Sequence, residues 1–352
     1  MKLKKSTVNN LISFGIVIIA FIVCQSMIST GVMKRSLRGQ MIPICVYIVM
    51  AVSLNLVVGI SGELSLGHAG FMSIGAFSGT IASVWMASAL QMDNTLVRLI
   101  LSMIVGGVFA GVFGVLIGIP VLRLRGDYLA IVTLAFGEII RNILNCLYFS
   151  VDGKRLIVSF NNPNIPGKIL VNGPAGTTGI EKIATFPVGF ALILFTLFVV
   201  LNLIDSRSGR AIMATRDNRI AAEAMGINVT KYKMMAFVTS AVLAGMAGTL
   251  YGLNFSTVAA SKFKFDTSIL VLVFVVLGGI GNIWGSIVAA ALLTVLPELL
   301  RAFSDYRMLV YAIVLILVML ATNNPSIRAL FERLIHPRRR DAAQAQKGGA
   351  TE

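Results

Sequence analysis

Ionisable side chains are scarce in this chain, and five polar residues lie within or beside its long apolar segments. Glu138 and Arg141, in AFGEIIRNIL, are three residues apart and therefore share one face of a helix, where they can neutralise each other. Glu63, Ser65 and His68 flank a glycine turn in SGELSLGHAG. A charge in hydrocarbon is costly and normally faces protein or a water-filled cavity, so all five are candidates for lining a translocation pathway. The alternatives are a structural ion pair at Glu138 and Arg141 and a structural histidine.

A second polar stretch, TRDNRIAAEAMGIN at 215–228, interrupts an otherwise apolar sequence. Residues 217–225 favour a helix, and Gly226 is well placed to end it. Arg219 and Glu223 are four residues apart, which is the spacing of an ion pair on a helix surface. The stretch therefore predicts a short charged helix between two apolar segments.

The two sides of this predicted helix differ in character. Ile220 and Ala224 share one face, whereas Arg216, Arg219 and Glu223 lie on another. A socket in a partner protein fits this pattern better than the headgroup region of a bilayer, because a face made mostly of alanine would anchor weakly in lipid. The candidate docking residues are Arg216, Asp217, Arg219, Ile220, Glu223, Ala224 and Gly226.

Enzyme chemistry has no support in the sequence. The chain has two histidines and three cysteines, with no CxxC pair, nucleophile elbow or metal-spaced cluster, so we expect neither a metal site nor a cofactor. It also lacks a phosphate-binding P-loop, since neither Gly-Lys pair, at 153–154 and 167–168, is followed by Ser or Thr. If ATP powers this protein, another chain must hydrolyse it.

Composition places these residues in a membrane. The chain of 352 residues is 57% hydrophobic and 13% charged, with a mean hydropathy of +0.87. Apolar runs long enough to cross a bilayer recur along its length. We therefore expect an all-α, polytopic integral membrane protein with about ten transmembrane helices. The predicted spans are 11–29, 41–60, 67–90, 96–119, 129–149, 186–204, 234–253, 268–282, 286–300 and 308–322.

Charge predicts the orientation of the spans. The chain has 30 Lys and Arg against 15 Asp and Glu, a net charge of +15, and basic residues collect in cytoplasmic loops. Their scatter between the spans argues against binding to nucleic acid. Ten crossings place both termini and the segment 205–233 in the cytoplasm, although Lys34, Arg35 and Arg38 would then lie outside. We expect a multi-pass membrane protein in this orientation.

Three regions follow from this organisation. They are an N-terminal segment with the first helix at 1–40, a membrane domain at 41–322, and a polar tail at 323–352. The tail has nothing to bury and is expected to be largely disordered. The longest outer connection, at 150–185, is rich in Asn, Pro and Gly and predicts turns rather than regular structure. A short ordered element on its surface is the alternative.

Glycine forms two patterns in the predicted membrane domain. VVGISGELSLGHAGFMSIGAF (57–77) and VLGGIGNIWGSIVAAAL (276–292) both predict an apolar helix, a glycine-rich turn and a small-residue helix. This is a weak parallel internal repeat, which suits a transporter. Small residues four apart also predict helices whose backbones approach closely. These pairs are Gly75/Gly79, Gly107/Gly111, Gly114/Gly118, Gly248/Gly252 and Gly281/Gly285.

Four collinear stretches resemble the permease subunits of branched-chain amino acid ABC transporters. They are GISGELSLGHAGFMSIGAF (59–77), LRGDYLAIVTLAFGEIIRNIL (124–144), SGRAIMATRDNRIAAEAMGINVTKYKMMAFVTSAVLAGMAGTLYG (208–252) and VLGGIGNIWGSIVAA (276–290). The resemblance implies one membrane subunit of an ATP-driven importer that carries leucine, isoleucine and valine into the cytoplasm. Its implied partners are a second related permease, two cytoplasmic ATPase subunits and an extracytoplasmic solute-binding protein. The segment around Glu223, Ala224 and Gly226 would be the coupling helix, seated in an ATPase groove.

Two alternatives remain open. Permeases for urea and short amides share this family, and the outer NGPAGTTGI lacks the double glycine usual there, so the substrate is not fixed. A self-contained secondary transporter would use Glu138 or Glu63 as a proton-coupling carboxylate. Such a carrier would have no need of the segment 205–233.

Overall fold

The protein is mostly helical. The computed structural model describes residues 5–30, 35–124, 126–152, 155–160 and 166–300, with isolated residues between 306 and 316. The predicted tail at 323–352 and most of the predicted span at 308–322 lie outside these residues. The helices are α1 (Lys5–Ser29), α2 (Arg35–Asn55), α3 (His68–Ala89), α4 (Thr95–Val121), α5 (Asp127–Asn145), α6 (Phe186–Asp205), α7 (Arg207–Asp217), α8 (Arg219–Ala224), α9 (Val229–Gly252), α10 (Phe265–Gly278) and α11 (Ile283–Leu299).

Six of these helices are long and apolar enough to cross a membrane, which confirms a multi-pass membrane protein. Five of the six are α3, α4, α5, α6 and α9; the sixth is α2 extended by a π-helical turn, Leu56–Ile60. The predicted spans at 11–29, 268–282 and 286–300 correspond to α1, α10 and α11, whose apolar portions are shorter. By length and composition, six helices among the described residues qualify as spans, and the count of about ten stays a prediction.

The chain divides into two compact units, Met1–Val295 and Leu296–Glu352. The core of the first unit is formed by α9, which packs against α2, α3 and α4. Towards the outside of this core, α6 and α10 pack on α2, and α5 packs on α3. Phe21 of α1 stacks on Phe186 and Phe190 of α6.

The close packing of α3 with α9 depends on glycine. A Cβ built on Gly75 would lie 2.0 Å from the carbonyl oxygen of Gly245, and one built on Gly248 would lie 2.0 Å from the carbonyl oxygen of Met72. The backbones are therefore close enough for Thr249 Oγ1 to donate a hydrogen bond to the Gly75 carbonyl across the interface (2.8 Å). Such approaches let helices associate where no water drives them together, as the glycine pairs predicted.

The other predicted glycine pairs have two structural roles, helix packing and a turn. Those of α4 face α9: Gly107 and Gly111 lie against Val242, and Gly114 lies against Ala241. Gly281, in contrast, belongs to the turn between α10 and α11, where its φ of +83° is in the left-handed region. Four of the five pairs therefore serve helix packing, and the fifth serves partly to make a turn.

We predict that Gly75→Ala destabilises the protein by roughly 1–3 kcal/mol or more, because the new methyl group must push α9 away from α3. Gly39→Ala is the matched control, since a Cβ at Gly39 in α2 meets nothing within 4 Å. Thermal unfolding of the two purified variants in detergent measures the difference. Equal midpoints for the two variants would show that backbone contact at Gly75 does not hold the core together.

A small sheet corrects the all-α prediction. Three antiparallel strands lie in the outer connection, β1 (Leu147–Asp152), β2 (Arg155–Phe160) and β3 (Lys168–Asn172), with the order β2-β1-β3. The predicted turns concerned the Asn, Pro and Gly clusters, whereas LYFSVD, RLIVSF and KILVN contain aromatic and β-branched residues that fit a pleated surface. The prediction of a span to 149 also ran past the end of α5, because β1 is itself apolar.

The outer segment after the sheet is tied to the helical core. Thr177 and Val258 form an isolated antiparallel bridge in which each backbone N–H donates to the other's carbonyl, at 3.0 and 3.1 Å. Glu181 pairs with Arg98 in the first turn of α4, where the arginine is buried. These contacts fix the residues before α6 against the first turn of α4 and the residues that follow α9.

Candidate coupling and translocation site

The helix α2 does not run directly into α3. Its last turn is π-helical, and residues 61–67 follow as an irregular connection with Gly62 at a φ of +74°. π-Helical turns inside helices are often found at functional sites. The connection joins the two helices within the predicted glycine-rich motif, so the sequence placed this break correctly.

His68 begins α3 and holds it to α2. Its Nε2 lies 2.8 Å from Oγ of buried Ser53. That hydroxyl donates to the Met50 carbonyl (3.0 Å). Because a hydroxyl has one proton to donate, we assign Nε2–H of His68 as the donor in the pair. The buried histidine thus has a structural partner, which favours the structural alternative for this residue.

A second break lies between α10 and α11, and it contacts the first. The carboxamide of Asn55 accepts a hydrogen bond from the Gly281 backbone N–H (2.9 Å) and donates one to Ser286 Oγ (3.0 Å). A Cβ on Gly59 would lie 2.3 Å from the Gly281 nitrogen. The two glycine motifs compared as a repeat therefore pack against each other, with fully buried Asn55 joining them.

Two hydroxyls in the first break are buried and have no hydrogen-bond partner among the described residues. They belong to Ser61 and Ser65, each 2% exposed. Nearby, Thr133 Oγ1 in α5 accepts from the Leu66 backbone N–H (3.0 Å). Unpaired buried polar groups are uncommon and costly, and they concentrate where a site has a task. Ser65, a candidate from the sequence, thus lies at such a position.

Both candidate carboxylates are paired with cations. Glu138 Oε2 accepts from Nε of Arg141, and the arginine's second nitrogen is also 2.7 Å away, which confirms the predicted neutralisation. Glu63 pairs with Lys233 near the start of α9, and both side chains are about nine-tenths buried. Glu63 therefore fastens the first break to α9 and is separate from the Glu138 pair on α5.

The charged segment after α6 contains two helices rather than one. The predicted helix at 217–225 is α8, which starts two residues later, because Asn218 leaves helical geometry and caps it by accepting from the Ala221 N–H (3.0 Å). Arg216 and Asp217 belong to the end of α7 instead. Gly226 does follow the helix, with a φ of +80° that favours glycine.

The apolar residues of α8 are mostly exposed. Ala222 is buried against the protein, whereas Ile220 is 80% exposed and Met225, just beyond the helix, 82% exposed. Ala224 is exposed as well. Arg219 Nε donates to Glu223 Oε1 at 2.9 Å, which confirms the i,i+4 pair. The short helix therefore sits on the chain through one alanine and presents the rest of its apolar surface outward.

Arg216 corrects the predicted surface of this segment. Its side chain does not join Arg219 and Glu223 but crosses to the first break, where Nη1 donates to the Gly59 carbonyl (2.8 Å). A Cβ on Gly62 would lie 2.5 Å from Cγ of this arginine, so the turn is shaped around it. The other side of the guanidinium pairs with Asp217 at 3.0 Å.

Sequence reasoning did not single out Asn55, Lys233 or Ser53. Asn55 carried the clearest signal, because a carboxamide within the apolar run AVSLNLVVGI requires a partner inside the protein. Lys233 gave no sequence signal, since a lysine at the predicted cytoplasmic start of a span is ordinary. Among the described residues no group of three His, Cys, Asp or Glu side chains could hold a metal ion.

Comparison with known proteins decides the family. The family model for the branched-chain amino acid transport system permease component matches residues 39–319. The chain belongs to this permease family. The match includes both helix breaks, α7 and α8, so every feature of the candidate site lies in the part of the permease that the family shares.

Individual relatives agree with this assignment. The permease is 34% identical over 309 residues to the high-affinity branched-chain amino acid transport system permease protein LivM of Salmonella typhimurium, and 35% identical over 290 residues to LivM of Escherichia coli. Each match covers 78% of this chain, which spans 66% of each relative's length. It is also 30% identical over 151 residues to the permease protein LivH of Salmonella typhimurium, covering 42% of this chain and 47% of that one. No solved structure was found to match the permease.

We predict that Arg216→Met loosens α7 and α8 of the permease. A hydrogen bond from a charged donor contributes about 1.5–3 kcal/mol, so amide exchange in α7 and α8 should become about 10- to 100-fold faster. Arg210→Met is the control. Arg210 lies on the same helix, and its side-chain hydrogen bond among the described residues goes to the nearby Asp205 carbonyl at the end of α6. Hydrogen exchange with mass spectrometry measures both; equal protection in the two variants would contradict an anchoring role for Arg216.

Proposed function

We propose that this permease is a membrane-spanning subunit of an ATP-binding-cassette importer that moves leucine, isoleucine and valine into the cytoplasm. The observation that carries the proposal is the geometry of α8 in a member of this family. A six-residue helix has little stability of its own, yet here it is capped by Asn218 and seated through Ala222, with Ile220 and Ala224 left open. Such a helix is suited to docking in a partner.

The partners follow from the same geometry and from the family. We place the exposed face of α8, with Glu223 and Gly226 beside it, in a groove of a cytoplasmic ATPase subunit. Two such subunits hydrolyse ATP, so the permease is a transport subunit and not an enzyme. A second, related permease and an extracytoplasmic solute-binding protein complete the importer. LivM and LivH, both permease proteins of high-affinity systems, support pairing of two related membrane subunits.

The orientation is part of this proposal. The segment 205–233 lies in the cytoplasm of a bacterial cell, the sheet β1–β3 lies outside, and the chain crosses the membrane about ten times with both termini in the cytoplasm. The two glycine motifs form a parallel repeat whose breaks meet at Asn55. The basic residues Arg207, Arg210 and Arg216 of α7 are consistent with this side of the membrane.

The translocation pathway is proposed to pass the helix breaks and α5. Broken helices within the membrane commonly form the substrate sites of transporters. The hydroxyl of Ser65, which has no partner among the described residues, lies at one such break, three residues before His68. Glu138 and Arg141 line the path from α5. Glu63 belongs to the inner end of the pathway, where its pairing with Lys233 links the first break to the coupling segment.

Other functions find less support. A proton-coupled secondary transporter would need a carboxylate free to release a proton, whereas Glu63 and Glu138 are both held by basic partners. It would also have no use for the exposed face of α8. A same-family importer for urea, short amides or other amino acids differs only in its solute, which the binding protein selects.

We predict that Ala224→Arg abolishes uptake while leaving the permease in the membrane at normal abundance. Ala224 is exposed, so the chain itself tolerates the change, but an arginine buried without a partner in the ATPase groove should cost several kcal/mol. Glu223→Lys should also weaken coupling, because it reverses the pair with Arg219. The measurements are solute uptake in intact cells and recovery of ATPase with the tagged permease.

Thr230→Arg is the matched control, since Thr230 is also exposed but lies beyond α8, in the first turn of α9. This variant should retain uptake and ATPase binding. Normal uptake by Ala224→Arg at normal abundance would overturn the importer mechanism. This permease, purified without its partners, should neither bind nor hydrolyse ATP.

A further inference from the structure

Of the six candidate spans among the described residues, α5 is the least buried. Only 28% of this helix is buried, compared with 72% for α3. Tyr128 is 72% exposed, Ile131 60% and Ile139 53%, all on one side of the helix. Lipid could cover such a face if its exposed residues were apolar throughout.

They are not. Asn142 is exposed on this side. The ion pair beside it is only partly covered, with the Glu138 side chain 32% exposed and that of Arg141 22% exposed. Polar groups therefore form one border of the open face, within the span.

The open face of α4 provides the contrast within the same molecule. Between residues 96 and 119 every exposed residue of α4 is apolar, and these include Ile104, Val108, Val112 and Leu116. That helix has the surface expected against lipid tails. The two helices thus differ in the chemistry of their open faces, not merely in the area that is open.

Depth in the membrane makes the polar border costly. At 1.5 Å per residue, Glu138 lies about 15 Å beyond Tyr128 along α5, close to the middle of a hydrocarbon layer about 30 Å thick. Ionisable groups at this depth almost always face protein or a water-filled cavity. The pair reduces the cost but leaves both side chains and Asn142 partly open to lipid.

We propose that the open face of α5 packs on the second permease subunit of the importer. This inference rests on the proposed function, which supplies such a subunit. A cover at the depth of Glu138 must itself be embedded in the membrane, which excludes the soluble ATPase and the solute-binding protein. Because the second permease is a related chain, the two subunits meet through corresponding faces around an approximate two-fold axis.

Photo-crosslinking tests this interface in cells that express the whole importer. A benzophenone side chain replaces Ala135, which is exposed on the open face of α5, or Val112 on the apolar face of α4. After irradiation, the variant at 135 should shift to the combined mass of two permease subunits, and the partner should be the second permease by mass spectrometry. The variant at 112 should show no such shift, because its neighbours are lipids.

A packing variant provides the second measurement. Ala135→Trp should reduce recovery of the second permease with this chain, whereas Val112→Trp should leave recovery unchanged. Capture of lipid alone, of the ATPase or of the binding protein at 135, or equal recovery in both variants, would overturn the interface. These results are independent of the coupling proposal, which uptake by Ala224→Arg tests separately.

Discussion

Direct backbone contact between α9 and its neighbours α3 and α4 is the constraint on which the rest of the structure depends. No side chain intervenes at Gly75 and Gly245, so the helices have one permitted separation. The helix α9, held in this position, has Lys233 near its start, where the lysine pairs with Glu63. Further along, Ser240 donates to the Ser53 carbonyl (2.6 Å). The outer end leads to the bridge between Val258 and Thr177.

The helix α7 and the two helix breaks form one continuous set of contacts. Arg216 reaches the carbonyl of Gly59, Gly59 lies against Gly281, and Asn55 bonds both Gly281 and Ser286. A displacement of α7 by a partner would therefore act on the first break without an intervening flexible link. Irregular backbone is tolerated in a membrane where it is buried in protein or lines a water-filled cavity. In these breaks Ser61 and Ser65 are buried, whereas Leu64 and Ile280 are exposed.

Much of the fold could be predicted because its signals are local. Apolar runs and glycine-rich turns located the spans and both breaks, and the i,i+4 spacing predicted the pair of Arg219 with Glu223. The predictions failed where the local structure depends on a residue that is distant in the sequence. In the sequence, Arg216 is as suitable as Arg219 for a charged helix face. Only the structure shows that it donates to the Gly59 carbonyl instead. The sheet was missed because its short strands depend on pairing with one another, and short strands give a weaker sequence signal than a membrane span does.

The central claim is that α8 is the point of contact with a cytoplasmic ATPase. The most direct measurement is disulfide capture between a cysteine at Ile220, which is 80% exposed on α8, and cysteines placed around the groove of the ATPase. In a background without the native cysteines, Ile220→Cys should form a disulfide with the ATPase under mild oxidation. Thr230→Cys should form none. Failure of every pair at Ile220, in an assembled importer that transports its solute, would contradict the account.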